Sequence, residues 1–493
     1  MNVILSIDQS TSATKGLVWS LDGKLLSRAD IPHKQITNNL GWIEHDGMEI
    51  LENTYKAAKD ALEKAKINPN QVAVIGLSNQ RETAICWDKK SGKPLYNAIV
   101  WQCGRASEIS NEIKNKGMES YIKNSTGLTL SPFFSAAKFA WMVKNVQKVA
   151  DAKAKGTLCC GTIDSWLVFK LTGNFKTDYS NASRTQLMNL EKLEWDNELI
   201  NAFSLEKNTL PEISMSDSFF GKTDFNKLLP TPIPIHGVMG DSHGALFANE
   251  CWQPYTAKAT YGTGSSVMMN AGTICPSPTT GVVAGVAWGM NNTIEYVLEG
   301  NINYTGAVIR WLEEDIELLE SAKSAGIIAK SVSNTGGVYL VPAFTGLGAP
   351  YFNNKTRAAF LGMNTTTKKA HLIRAAEESI AYQIKDVVEI INNSTNNPLK
   401  VLHADGGPTR DDFLMNFQAS ILNIPVEVSK TEELSGMGAA FCAAIGLGIA
   451  NRNALKQKRK RIEPSMDNAT REKLYKGWKE AIFTLNNTDR RPS

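Results

Sequence analysis

The sequence predicts an α/β protein built as two similar halves around a deep cleft. Three observations predict it. Short β-branched runs alternate with amphipathic helical stretches along the chain, the pattern of sheets flanked by helices. A strand, a turn of glycine or hydroxyl residues and a second strand occur twice, in "IDQSTSATKGLVWS" from Ile7 and in "AKATYGTGSSVMMN" from Ala257. The 493 residues also exceed what one hydrophobic core organises. The second set of elements starts after about residue 245, and we place the division near Asn249, giving residues 1–248 and 249–493.

The elements follow in order. "VILSID", "TKGLVWS" and "KLLSRADI" read as strands. "MEILENTYKAAKDALEKA" carries apolar residues at helical period, and Asp46 and Glu49 have capping-box spacing. "VAVIGLS" suits a buried strand and ends in the polar "NQRET". In the second half "TTKKAHLIRAAEESIAYQIKDVVEII" reads as a long helix. "LKVLHADGGP" is a strand broken by two glycines, and "TRDDFLMNFQASIL" is a helix with Thr409 placed to cap it.

Bulk properties narrow the function. A net charge of +4 gives no electrostatic case for a nucleic-acid partner. The basic run "KQKRKR" from Lys456 to Arg461 reads as a solvated connector before the last helix. Seven cysteines, with no C-x-x-C pair, suggest neither a disulfide framework nor a zinc site. Cys159 and Cys160 are adjacent, so on a strand they face opposite sides. No apolar run reaches the roughly 18 residues that cross a membrane, and the chain enters a strand at once. We therefore expect no membrane insertion and a cytoplasmic location.

Chemistry-bearing residues cluster at strand ends. Asp8 ends an apolar strand and precedes small or hydroxylated residues, among them Thr11 and Ser12, and then Lys15. Such a turn leaves successive N–H groups free to bind an anion, and Asp8 can hold a magnesium ion through its waters. Taken alone, it is equally a polar hairpin held by an Asx-turn. "YGTGSS" at Gly262 and Gly264 permits close backbone approach but lacks the third glycine of a dinucleotide fingerprint. "GKT" at Gly221 lacks the earlier glycine of a phosphate loop and reads as an ordinary turn. Gly406 and Gly407 precede a helix start, a place for a nucleotide or its phosphate, or simply a tight joint.

On the acceptor side "NQRET" places Arg81 and Glu82 together. One only donates hydrogen bonds and the other only accepts them, so the pair can grip adjacent hydroxyls or form a surface ion pair. Trp101 offers a face for a carbon skeleton or fills a core. Asp241 follows a glycine and opens a helix-prone run; it can take a hydroxyl proton or cap the helix. Asp241, Ser242 and His243 are consecutive and so cannot align as a catalytic triad.

These pieces resemble the FGGY carbohydrate kinases, which have the actin-like, ribonuclease H-like ATPase fold. The likeness runs nearly end to end, through "IDQSTSATKG", "GWIEHD", "NQRET", "NAIVWQC", "TDYSNASRT", "GDSHGALF", "TYGTGS", "VPAFTGLGAPY", "ESIAYQ" and "DGG". "NQRET" with "WQC" is nearest to members that phosphorylate glycerol. The resemblance implies ATP and Mg2+ as cofactors, Asp241 as general base, and Asp8 with Asp241 as the magnesium-holding carboxylates, through water. It implies acceptor contacts at Arg81, Glu82, Trp101, Phe133, Asp241, Ser242 and Ser266. It implies nucleotide contacts at Thr11, Ser12, Lys15, Thr263, Gly306, Arg310, Gly407 and Asp411. A small polyol or sugar is the expected partner, with a homodimer or homotetramer as in the relatives.

The sequence departs from the family pattern at several of these positions. Phe133 stands where the glycerol-phosphorylating members have tyrosine, Ser242 where they have glutamine and Ser266 where they have phenylalanine. On the nucleotide side Arg310, Asp411, Lys15 and Ala13 replace glutamine, asparagine, arginine and a hydroxyl residue. Losing a buried phenylalanine costs about 3 kcal/mol or more when nothing fills the gap, far above one neutral hydrogen bond at about 0.5–1.5 kcal/mol. Ser266 is therefore the change expected to widen the pocket toward a four- or five-carbon polyol or ketose. Pro232 in "LPTPIP" stands where some bacterial members have an arginine that binds a sugar-bisphosphate regulator, so that regulation is not expected. An ATP-driven binding protein or a non-catalytic regulator on the same scaffold is the rival reading.

Overall fold

The computed structural model describes residues 2–395 and 397–488. Two large mixed sheets carry the chain. The first has six strands in the order Gly221–Thr223, Ile233–Gly240, Val72–Asn79, Val3–Gln9, Ala13–Ser20, Leu25–Pro32. The second has seven, in the order Val283–Met290, Thr293–Ile302, Ser265–Gly272, Ala257–Tyr261, Leu402–Asp405, Val426–Ser429, Arg459–Ile462. Strand directions repeat between the sheets. Each has an antiparallel hairpin extended by a further antiparallel strand. Beyond it lie two parallel strands and an antiparallel edge. The duplication read from the two turns is a duplication of whole sheets.

Local sequence accounts for most elements. The first strand is buried on both faces, as its continuous apolar run requires. The helix Gly47–Ala65 starts at Asp46, whose carboxylate accepts the Met48 N–H at 2.7 Å. Glu49 does not close a capping box; it accepts the Lys34 N–H instead. Cys159 and Cys160 point into different cores from the strand Leu158–Thr162. That strand belongs to a five-stranded sheet inserted in the first half.

Two local readings are corrected. The basic run is no connector: Arg459–Ile462 is the edge strand of the second sheet. Ladder bonds need only backbone, and charged side chains suit an edge. Arg461 pairs with Glu427, and Arg459 reaches Asn249 and Glu250. Nor does Thr409 cap the helix Asp412–Leu422. Thr409 lies in a preceding 3-10 turn, and Asp411 accepts the Phe413 and Leu414 N–H groups.

The halves interlock. The helix Leu434–Gly446 follows the second sheet in sequence but packs on the first, and crosses the helix Asp241–Ala248. Glycines make that crossing a backbone-to-backbone contact. A Cβ at Gly438 would lie 2.0 Å from the Gly244 carbonyl oxygen, and one at Gly244 2.6 Å from that of Ser435. Met239, Phe247, Met268, Trp288, Phe441 and Ala444 form one apolar cluster from both halves. Among the described residues no helix is long and apolar enough to cross a membrane.

Candidate active site

Three cavities share walls along the cleft. The largest, about 730 Å³, is lined by Thr11, Ser12, Arg81, Glu82, Trp101, Phe133, Asp241, Ser242, Thr263 and Ser266, all singled out from sequence. Gly262 and Thr263 also line a second cavity of about 340 Å³, with Gly306, Arg310 and Gly407. Gly306 and Gly407 continue into a third of about 320 Å³, where Asp411 lies.

Each hairpin turn is placed by its sheet. Asp8, 4% exposed, ends the central strand and accepts the Ser78 hydroxyl at 2.9 Å. Lys15, directly across the hairpin, holds Asp8 at 3.3 Å and Glu433 at 2.9 Å. Burial works against its ammonium, but the charges of Asp8 and Glu433 outweigh that and keep the Lys15 pKa above the ordinary value. Lys15 is thus tied to two carboxylates and is not among the residues lining the cavities. The Gly262 carbonyl accepts the Gly306 N–H at 2.9 Å, tying the second turn to the helix Gly306–Glu314 that carries Arg310. Gly406 must be glycine: its φ is +99°, and a Cβ would fall 1.9 Å from the Tyr261 carbonyl oxygen.

Arg81 and Glu82 do not pair with each other. Arg81 reaches across the cleft and donates both terminal N–H groups to Glu299, at 2.9 and 2.8 Å. Glu82 accepts the Arg184 Nε–H at 2.6 Å, and Arg184 also meets Glu299 at 2.9 Å. All four are buried. Burial opposes the Glu299 charge, but Arg184 and Arg81 outweigh it and hold its carboxyl well below the usual range. Glu82 sits at φ +61°, an uncommon backbone for a non-glycine residue, of the kind that clusters at functional sites. Arg184 and Glu299 carry this network yet were not singled out as site residues from sequence.

Asp241 opens the helix Asp241–Ala248, whose N-cap is Gly240. Its Oδ1 lies 3.3 Å from Arg81 Nε and accepts the Ser242 N–H at 2.6 Å. A third of the side chain faces the cavity. Lost hydration raises its carboxyl, Arg81 pulls it down, and the negative charge of Asp8 pushes it up again; the net shift is upward. Trp101 and Phe133 meet edge to face, ring centres 5.5 Å apart, as an apolar wall. The Trp101 indole N–H donates to Thr11 Oγ1 at 3.0 Å, joining that wall to the first hairpin. Ser266 lines the same cavity, and its hydroxyl donates to Glu299 at 3.0 Å. The Asp411 carboxylate lines the third cavity but is engaged as a helix cap.

Among the described residues no cluster of three or more His, Cys, Asp or Glu side chains could hold a metal by itself. Asp8 and Asp241 are two carboxylates close enough for one to shift the other. That donor set fits Mg2+, which takes one or two carboxylates and leaves its other positions to water and phosphate. The arrangement as a whole sets a carboxylate, a buried arginine–glutamate network, an apolar wall and two glycine or hydroxyl turns along one cleft.

The chain is similar to known proteins over nearly its whole length. Residues 3–248 match the model for the FGGY family of carbohydrate kinases, N-terminal domain, and residues 257–447 the C-terminal domain. A curated relative, glycerol kinase 1 of Thermotoga maritima, is 46% identical over 98% of this chain and 99% of its own. The structure of Plasmodium falciparum glycerol kinase with ADP superposes with a TM-score of 0.93, at 34% identity and 98% coverage of both chains. A xylulose kinase from Lactobacillus acidophilus, 23% identical, shares the fold with a TM-score of 0.89 over 99% of each chain.

Proposed function

The chain belongs to the FGGY family of carbohydrate kinases, and from that premise we propose that it transfers the γ-phosphoryl group of ATP to a primary hydroxyl of glycerol, giving glycerol 3-phosphate and ADP. One observation carries the reading. Asp241, with a carboxyl held above the ordinary range, shares a single cavity with Arg81, Glu82, Trp101 and the glycine turn at Gly262.

In this reading Arg81 and Glu82 fix the hydroxyls that are not transferred. Trp101 and Phe133 cover the carbon skeleton, and Ser242 and Ser266 flank it. Asp241 accepts the proton of the attacking hydroxyl. Thr11, Ser12 and Thr263 hold the phosphates, with the Lys15 charge behind them. Gly306, Arg310, Gly407 and Asp411 line the path of the nucleoside. Asp8 and Asp241 would hold Mg2+, which when bound neutralises phosphate charge. Positioning and electrostatics supply most of the catalysis in this chemistry. We also take residues 1–248 and 249–493 as the two domains, a cytoplasmic site of action, which the free thiols suit, and a homodimer or homotetramer.

A second acceptor class is favoured by one observation: the serines at 242 and 266 with Asn301 and Asn303 give the cavity a polar side. That lining suits a four- or five-carbon polyol or ketose. A coupled ADP-release assay across glycerol, erythritol, ribitol, xylulose, ribulose and dihydroxyacetone decides between them by kcat/KM. Glycerol should rank first. ADP release indifferent to every acceptor would instead favour an ATP-driven binding protein. Asp241→Asn should bind ADP normally yet lose about 10²–10⁴-fold in turnover.

A further inference from the structure

The third cavity contains a group that phosphoryl transfer does not use. Glu377 projects from the helix Lys369–Thr395, is 2% exposed, and its Oε2 has no hydrogen-bond partner. A buried carboxyl oxygen left unpaired is costly and asks for an explanation. The remaining wall around it includes the apolar Ile309, Ile380, Leu414 and Pro408. The other buried-side carboxyl of this cavity, Asp411, is already occupied by the Phe413 and Leu414 N–H groups.

Position along the cleft names the ligand class. Resting on the kinase reading, a nucleotide whose terminal phosphate meets Asp241 runs past Gly262 and Thr263 and then Gly306 and Gly407. It thereby delivers its base to the third cavity. The apolar part of the slot suits the faces of a planar ring, and of the polar groups at its wall, which include Lys323, Arg410 and Asp411, Glu377 has the buried unpaired oxygen that can read an edge.

We propose that Glu377 reads the nucleobase, its carboxyl accepting a hydrogen bond from the exocyclic amino group of a 6-aminopurine. A carboxyl oxygen accepts whether the group is ionised or neutral. Burial, reinforced by the charge of Asp411, pushes the Glu377 carboxyl upward, which favours the neutral acid and leaves an O–H for a ring nitrogen. A site that buries a polar group for one partner rejects the analogue lacking that partner.

The test is nucleotide binding, measured by calorimetry on the full chain and its Glu377→Leu and Glu377→Gln variants. The probes are ADP and purine riboside 5′-diphosphate, which bears hydrogen in place of the 6-amino group. The native protein should bind ADP about tenfold more tightly than the analogue. Glu377→Leu should reduce that ratio to within about twofold, whereas Glu377→Gln, which keeps an acceptor of similar shape, should preserve it. A loss of packing alone would weaken both nucleotides together. A native ratio near one overturns the proposal without any variant, and so does a native-like ratio in Glu377→Leu. Binding is read without turnover, so an intact base preference in a protein that releases no ADP with any acceptor would sink the kinase reading and still support Glu377.

Discussion

Glu299→Gln is the perturbation that probes the cleft most directly. The carboxylate accepts two N–H groups from Arg81, at 2.9 and 2.8 Å, and the Ser266 hydroxyl at 3.0 Å, and forms an ion pair with Arg184 at 2.9 Å. Its side chain is 1% exposed. Glutamine keeps one acceptor oxygen, turns the other into a donor facing guanidinium donors, and removes the charge that both arginines share. Breaking a buried pair from one side costs about 3–5 kcal/mol, because the uncompensated charge stays buried. That is the loss expected in urea unfolding followed by tryptophan fluorescence. Arg81 would keep one neutral acceptor at position 299 and the charge of Asp241, 3.3 Å from its Nε, and would swing toward Asp241. The acceptor grip then shifts, and displacements of this kind cost on the order of 10²-fold in rate. We expect kcat/KM for glycerol to fall by that factor, with ADP affinity unchanged within about twofold. A variant that loses under about 1 kcal/mol and keeps kcat/KM within about threefold would show that Glu299 neither anchors Arg81 nor joins the halves.

Further outcomes follow from the same geometry. Because the Asp241 carboxyl is raised, its base form should disappear, as pH falls, at a higher pH than for an ordinary aspartate; the acid limb of kcat/KM against pH reads this, and a limb in the ordinary aspartate range would contradict it. Lys138 is fully buried, donates to the Phe133 and Phe134 carbonyls, and is pulled by burial from 10.5 to about 7, with Glu82 partly opposing. Between those values the unfolded chain holds more protons than the folded one, so stability from this group rises with pH; Lys138→Met should flatten that rise in denaturation measured from pH 7 to 10. Gly264→Ala would put a Cβ 2.4 Å from the Ile302 carbonyl oxygen. It should cost about 1–3 kcal/mol and weaken ADP binding through the displaced turn, and unchanged affinity would clear that turn of a phosphate role.

Local signals in the sequence carried far. The two hairpins are legible because a strand ending in small hydroxylated residues needs no distant partner to be recognised, and both turns line the cleft. The buried strand Val72–Asn79 and the long helix Lys369–Thr395 follow from composition and period alone. What stayed hidden depends on pairing across the fold. Arg81 and Glu299 are 218 residues apart, and nothing near either residue announces the other. The alternative of a surface ion pair between Arg81 and Glu82 fails for that reason: neighbours in sequence take separate partners from opposite walls. Glu377 looks like any helical glutamate until the cavity beside it appears. Arg459–Ile462 was masked by its charge, since an edge strand is held by a backbone ladder that leaves no apolar trace.

The crossing of Gly244 on Gly438 has a mechanical consequence. Two main chains in direct touch, with no side chain between them, resist compression but permit one rod to turn on the other. The contact therefore suits a pivot between the two rods. Asp241 stands about one turn from that contact on the same rod. A rotation of one rod on the other about this contact would move Asp241 little. Bulk introduced at position 438 should thus force the two rods apart while leaving every residue of the cleft chemically intact.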